Sequence, residues 1–139
     1  MNTGWLDKEV RPTYEAGEAL SWGDLCVLDG GKLKKYTAAL DAAGTKALFF
    51  ALDDADPADE AKKFVSVLVA GVSPSTILAN ASAASFTQGA QVFADASNAG
   101  KVAATGTRVV GVYLDATTTL SVAGKLHVAP LYVPKAAGA

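Results

Sequence analysis

Apolar positions in this chain come in short runs, each bounded by glycine, aspartate, asparagine or serine. Such runs are too short for a typical helix and match strands in length. Residues 24–28 are followed by Asp29-Gly30-Gly31, a tight reversal, with residues 33–37 as the returning strand of a hairpin. Residues 45–52 form an apolar run that suits a buried central strand, and residues 64–69 a strand rich in β-branched side chains. After Ser73-Pro74-Ser75-Thr76, residues 77–86 turn alanine- and serine-rich, so that 73–86 reads as a connector, with a short helix possible from about Ser75. Strand patterns resume at 90–95, 101–104, 108–115, 120–122 and 126–133. About ten short strands with regularly spaced turns predict an all-β fold, a short-stranded sandwich or small barrel.

The pattern repeats. The stretch from Gly44-Thr45-Lys46 to Leu52-Asp53 reappears as Gly106-Thr107-Arg108 to Leu114-Asp115, and in the same register Lys63-Phe64-Val65 meets Lys125-Leu126-His127. Upstream, Gly23-Asp24-Leu25-Cys26-Val27-Leu28 answers to Gly89-Ala90-Gln91-Val92-Phe93-Ala94, and Gly31-Lys32-Leu33 to Gly100-Lys101-Val102. Two similar half-units are therefore expected, at about 21–72 and 87–133 within one β domain of 21–133. Residues 1–20 stand apart, with Trp5, Leu6, Val10, Arg11, Pro12 and Tyr14 set among charges without helical or strand period. Pro12 biases Arg11 toward extended geometry, which predicts an extended N-terminal arm with aromatic anchors. Residues 134–139 read as a flexible tail.

Composition narrows the function. Charged residues make up 19% of the chain and the formal net charge is -2, which argues against a nucleic-acid partner. The single cysteine, Cys26, excludes an intrachain disulfide, and its strand position predicts a buried thiol. No run approaches the ~20 apolar residues that span a bilayer, and the first residues lack the marks of a secretion signal, so neither membrane nor export is expected.

Residues suited to catalytic chemistry are few. His127 is the one histidine and lies in a strand without a nearby nucleophile or acid in sequence, which suits a structural or interface role better than a general base. The acidic run Asp53-Asp54-Ala55-Asp56-Pro57-Ala58-Asp59-Glu60 resembles a calcium loop only superficially, since Ala58 takes a ligand position and the required glycine and final glutamate are missing. Neither metal nor cofactor is expected. The Lys32, Lys34 and Lys35 cluster fits solubility or a protein contact.

The strand-and-turn succession Gly23 to Leu28, Gly31-Lys32-Leu33, Ala51-Leu52-Asp53, Val67-Leu68-Val69-Ala70-Gly71, Gly89 to Phe93, Gly100-Lys101-Val102 and Val110 to Asp115 resembles the small β-rich decoration, or cement, proteins of tailed-phage heads. That resemblance implies a non-enzymatic virion protein, made in the host cytoplasm, that binds the outer capsid surface and bridges major capsid protein subunits. It also implies self-association, with a homotrimer expected. The arm residues Trp5, Leu6, Val10, Arg11, Pro12 and Tyr14 are the expected capsid contacts. The alternative is a ligand- or carbohydrate-binding β module of a phage tail or secreted enzyme, in which Trp22 would stack on a sugar ring.

Overall fold

The computed structural model describes residues 12–71 and 75–134, and among these residues there are strands and no helix. The strands are β1 (Thr13–Glu15), β2 (Leu25–Asp29), β3 (Lys32–Lys35), β4 (Leu48–Ala51), β5 (Phe64–Val69), β6 (Ile77–Ala81), β7 (Ser85–Phe86), β8 (Gln91–Ala94), β9 (Val102–Ala103), β10 (Val109–Tyr113), β11 (Thr118–Thr119) and β12 (Gly124–Pro130). They make two bodies. The first is a sheet in the order β1-β5-β4-β2-β3; the second is a closed barrel, β10-β12-β6-β9-β8, with a small β7–β11 ladder beside it.

In the first body the β2–β3 hairpin pairs Cys26 with Lys35 and Asp29 with Lys32 across Gly30 and Gly31, both at positive φ. Strand β4 lies against β2 with Leu25 opposite Phe50, and β5 against β4 with Phe50 opposite Leu68. A single parallel bridge, Ala16 to Leu33, joins the end of β1 back to β3. In the barrel, β8 pairs with β9 and β10, β10 with β12, and β12 with β6 over five residue pairs from Gly124–Ala81 to Val128–Ile77. The parallel pair Ala81–Val102 closes the ring.

Alternation along the strands accounts for two cores. Cys26, Leu33, Phe49, Ala51, Val65 and Val67 point to the inside of the first body, with Ala16, Leu20 and Ala55. The opposite face of the same strands carries Leu25, Val27, Leu48, Phe50 and Leu68, which join the barrel's Val92, Val102, Val110, Leu126 and Val128 in a shared cluster. Buried on both faces, β4 reads as a continuous apolar run.

Two expectations about boundaries are corrected. Residues 12–20 are not a free arm: β1 pairs with β5, Val67 N donates to Pro12 O at 3.1 Å, and Leu20 bridges Ala55. The reason is tertiary, since Tyr14 packs edge-on against Phe49 with ring centroids 5.3 Å apart. Residues 1–11, which include Trp5, Leu6, Val10 and Arg11, lie outside the described residues. The supposed connector 73–86 carries β6 and β7 instead of a helix, because Ile77, Ala79 and Ala81 alternate inward as a barrel strand needs. The tail residues 135–139 also lie outside the described residues.

Candidate functional site

The junction of the two bodies gathers most of the polar geometry. Just before β2, Trp22 is held by its backbone: its N–H donates to Asp54 Oδ1 at 2.8 Å, and its carbonyl accepts from Lys125 Nζ at 2.7 Å and Asn80 Nδ2 at 3.1 Å. Lys125 Nζ also sits 4.3 Å from the indole centroid, and Asn80 Nδ2 reaches Asp24 Oδ1 at 2.7 Å. The residue is nevertheless 41% exposed. With Leu52, Thr76, Ile77, Leu78 and His127 it lines a shallow cup of about 270 Å³. His127 Nε2 is 2.7 Å from Thr76 Oγ1, and Nδ1 is 3.3 Å from Asp115 Oδ1. The only histidine thus stands on a rim with a hydroxyl and an exposed carboxylate.

On another side of the junction, Arg108 and Asp41 form a buried ion pair, Nη1 to Oδ2 at 2.7 Å, with Arg108 only 2% exposed. A second guanidinium nitrogen donates to Lys46 O at 2.6 Å, and Tyr132 stacks over the group at 5.3 Å while its hydroxyl donates to Thr45 O. Arg108 Nε, also buried, has no protein partner. Arg108 and Asp41 line a cleft of about 660 Å³ together with Tyr36, Ser82, Asp95 and Asn98. Burial pushes the Tyr36 hydroxyl pKa up, and the nearby Asp41 charge adds to this. Asp95 behaves in the opposite sense. Burial alone would raise its pKa, but hydrogen bonds from Ser82, the Asn98 side chain and the Ser97 and Asn98 amides together hold it below the ordinary aspartate value.

The remaining candidates are structural in their geometry. Asp56 and Asp59 cap their own turns, accepting from Ala58 N at 2.9 Å and Ala61 N at 3.0 Å, and Asp54 holds Trp22. Among the described residues no group of three metal-ligating side chains converges. Lys32 pairs with Glu15 and Lys34 with Asp29, and the Lys32 bond lowers the Glu15 pKa. The Cys26 thiol is buried, and desolvation, then the Asp24 charge, pushes its pKa well up, so it is a poor nucleophile.

Of the six residues expected to contact a capsid, two are described. Pro12 is half-buried at the entry to β1, and Tyr14 packs on Phe49 within the fold. Sequence reasoning missed Arg108–Asp41 and the Asp95 turn. The signals available were an arginine opening a buried strand where its counterpart Lys46 opens another, and the Asp-x-Ser-Asn order of an Asx turn. No protein-family model matches the chain, and no curated protein sequence matches it.

Proposed function

We propose that this chain is a non-enzymatic structural protein that binds the outer surface of a tailed-phage capsid and bridges major capsid subunits. We propose with it that the chain is two copies of one small-barrel unit. The observation that carries the reading is the pairing order. Strands β1, β2, β3, β4 and β5 take the neighbours that β6, β8, β9, β10 and β12 take, and the parallel Ala16–Leu33 bridge answers to the Ala81–Val102 pair. Single hydrogen bonds follow suit. Gly23 N to Ala51 O and Gly89 N to Tyr113 O are both 2.8 Å, Ala70 N to Leu48 O answers to Leu131 N to Val110 O, and Leu52 N to Ser66 O to Leu114 N to His127 O. The Leu20–Ala55 bridge corresponds to the β7–β11 ladder.

A rigid body with two related sets of surfaces suits a lattice of repeating subunits. Each contact can be weak, because linking two sites raises avidity by about 10²–10⁴ without a new contact type. The proposal includes a virion location after synthesis in the host cytoplasm, homotrimeric self-association, and no cofactor, nucleic-acid or membrane partner. The capsid contacts are assigned to Trp5, Leu6, Val10 and Arg11, leading into Pro12 and Tyr14. Because β1 belongs to the sheet, the deletion that tests this stops at residue 11.

The experiment is cosedimentation of the purified protein with mature phage heads stripped of their decoration. Saturation at a fixed ratio to major capsid subunits is expected, with loss of binding on deleting residues 1–11. Absence of binding to every head tried would sink the capsid role. The second reading, a glycan-binding module, draws support from the exposed Trp22 ring in its cup beside Thr76 and His127. Glycan-array binding that disappears in Trp22→Ala would favour it.

A further inference from the structure

The contact between the two bodies is one-sided, and its unused halves are both on the surface. Gly23 and Gly89 hold corresponding places before β2 and β8, with φ of 90° and 80°. A Cβ on Gly23 would meet Leu78 O at 2.5 Å, Lys125 Nζ at 2.9 Å and Asn80 N at 3.3 Å, all from the barrel; a Cβ on Gly89 would meet nothing within 4 Å. The turn glycines behave in the reciprocal way. Gly100, at φ 76°, is crowded by Lys35 and Asp24 of the first body, while Gly31, at φ 81°, faces open space. The backbone bonds across the junction follow the same division: Asn80 N to Gly23 O at 2.9 Å, Leu25 N to Gly100 O at 2.8 Å, Gly100 N to Tyr36 O at 3.0 Å.

The first body therefore gives its segment 23–25, which the barrel receives on β6 and the Gly100 turn, and the outer face of β2-β4-β5, which is buried in the apolar cluster shared with the barrel. The barrel's own giving surface is Gly89-Ala90-Gln91 with the outer face of β8-β10-β12. Where Leu25 and Phe50 are wholly buried, Gln91 is exposed and Phe93, Val112 and Ala129 are half-exposed, with Leu131 at 36%. The first body's own receiving surface, Thr13 and Glu15 on β1 with the Gly31 turn, is likewise uncovered or half-covered. Near the middle of the junction, corresponding residues touch each other: Arg108 bonds Lys46 O, and Tyr132 lies against Gly71. Self-contacts at the centre with directional contacts outside them describe rotation about an axis passing close to both bodies. If that rotation were a half-turn, the Gly89–Glu15 contact would also form within the chain, and it does not.

We infer that a second copy of this chain docks head to tail, its β1 and Gly31 turn receiving the Gly89-Ala90-Gln91 segment and outer barrel face of the first, in the geometry the chain already uses internally. The inference rests on the two-copy reading of the fold and names the self-association surface that reading left open. Heterologous contacts of this kind close into rings or run on as filaments, according to the rotation.

Two surface substitutions test it by sedimentation of the full chain without heads: Ala90→Arg on the giving side and, on the receiving side, Glu15→Arg, which also gives up the Lys32 ion pair. Ala90 contributes its backbone to the fold, through Tyr113 N to Ala90 O, and a new side chain leaves that bond intact. Concentration-dependent assembly is expected for the unaltered chain, and monomers for each variant alone. An equimolar mixture is expected to stop at a heterodimer, because Ala90→Arg keeps a good receiving side and Glu15→Arg a good giving side. A monomeric unaltered chain, assembly unaffected by either substitution, or a mixture that stays monomeric would each overturn the inference; the last result excludes head-to-tail contact specifically. Circular dichroism of both variants separates lost docking from lost folding. Head binding by a monomeric chain would leave the capsid proposal standing while this one fails.

Discussion

The two bodies fill matching interior positions with side chains of opposite size. In the first, Phe49 lies opposite Cys26 and is followed inward by Ala51; in the barrel, Gly111 lies opposite Val92 and is followed by Tyr113. Large then small in one body is small then large in the other. The aromatic pair sits accordingly at the start of β4 in the first body, as Tyr14–Phe49, and at the end of β10 in the barrel, as Phe86–Tyr113 at 6.2 Å. The consequence is visible in the strands. Where the rings sit by β1, the Leu20–Ala55 contact stays a single bridge; where they sit by β7, a two-pair ladder forms and Tyr113 OH donates to Ala116 O at 2.7 Å. Each body thus pairs one aromatic ring with one small residue along this strand, at opposite ends.

The harshest test of that comparison is to loosen the joint between the bodies. Arg108→Ala leaves the Asp41 carboxylate buried without its partner, and a loss of about 3–5 kcal/mol is expected in urea unfolding. Restoration of most of that stability by the apolar pair Asp41→Leu with Arg108→Met would show that the penalty comes from the orphaned charge; no recovery would show that the ion pair itself fixes the joint. Next in size, Phe49→Ala should cost about 3 kcal/mol through the cavity it opens, and should expose β1 amides to exchange before those of β6. Equal exchange in both strands would mean that the ring does not anchor β1.

Asp95 sharpens the contrast between the two β-hairpin turns. Its folded pKa is lowered, so its contribution is present above the ordinary aspartate value of about 4 and disappears as pH falls through the folded one. Asp95→Asn should therefore cost about 1–2 kcal/mol near neutrality, and the gap from the unaltered protein should narrow in acid. A gap that holds constant with pH would assign the effect to shape instead of charge. Smallest of all, Lys125→Ala should remove about 0.5–1 kcal/mol of cation–π contact and shift the Trp22 emission, read by fluorescence in a Trp5→Phe background.

Much of this architecture was legible in the sequence where turn chemistry and period agreed. The Asp29-Gly30-Gly31 reversal, the apolar run through β4 and the β-branched β5 all lie where the pattern placed them. Strand β1 was illegible because what orders Thr13–Glu15 is a ring on another strand, not its own period. Strand β6 hid behind alanines: Ala79 and Ala81 are small yet wholly buried, and their alternation is weak on any hydropathy scale. The register of the last strand also differs by one residue from the sequence match. Pairing puts Val65 with Leu126 as the inward positions, since a one-residue slip would turn His127 into the barrel. For the buried Arg108 site, the arginine opening a strand was a visible signal, but its partner Asp41 was beyond reach because it lies far away in the chain.

The lone Ala16–Leu33 bridge closes the first body by a one-pair latch, just as the single Ala81–Val102 pair closes the barrel. If that latch lifts, β1 and β3 become open edges, the kind of surface that recruits stray strands and starts aggregates. The side chains along those edges are Glu15, Glu18, Lys32, Lys34 and Lys35, with Glu18 already accepting from the Lys35 amide at 3.0 Å. What looks in the sequence like a basic knot is then a fence of charge, which would keep a concentrated stock of the protein clear even while this closure breathes.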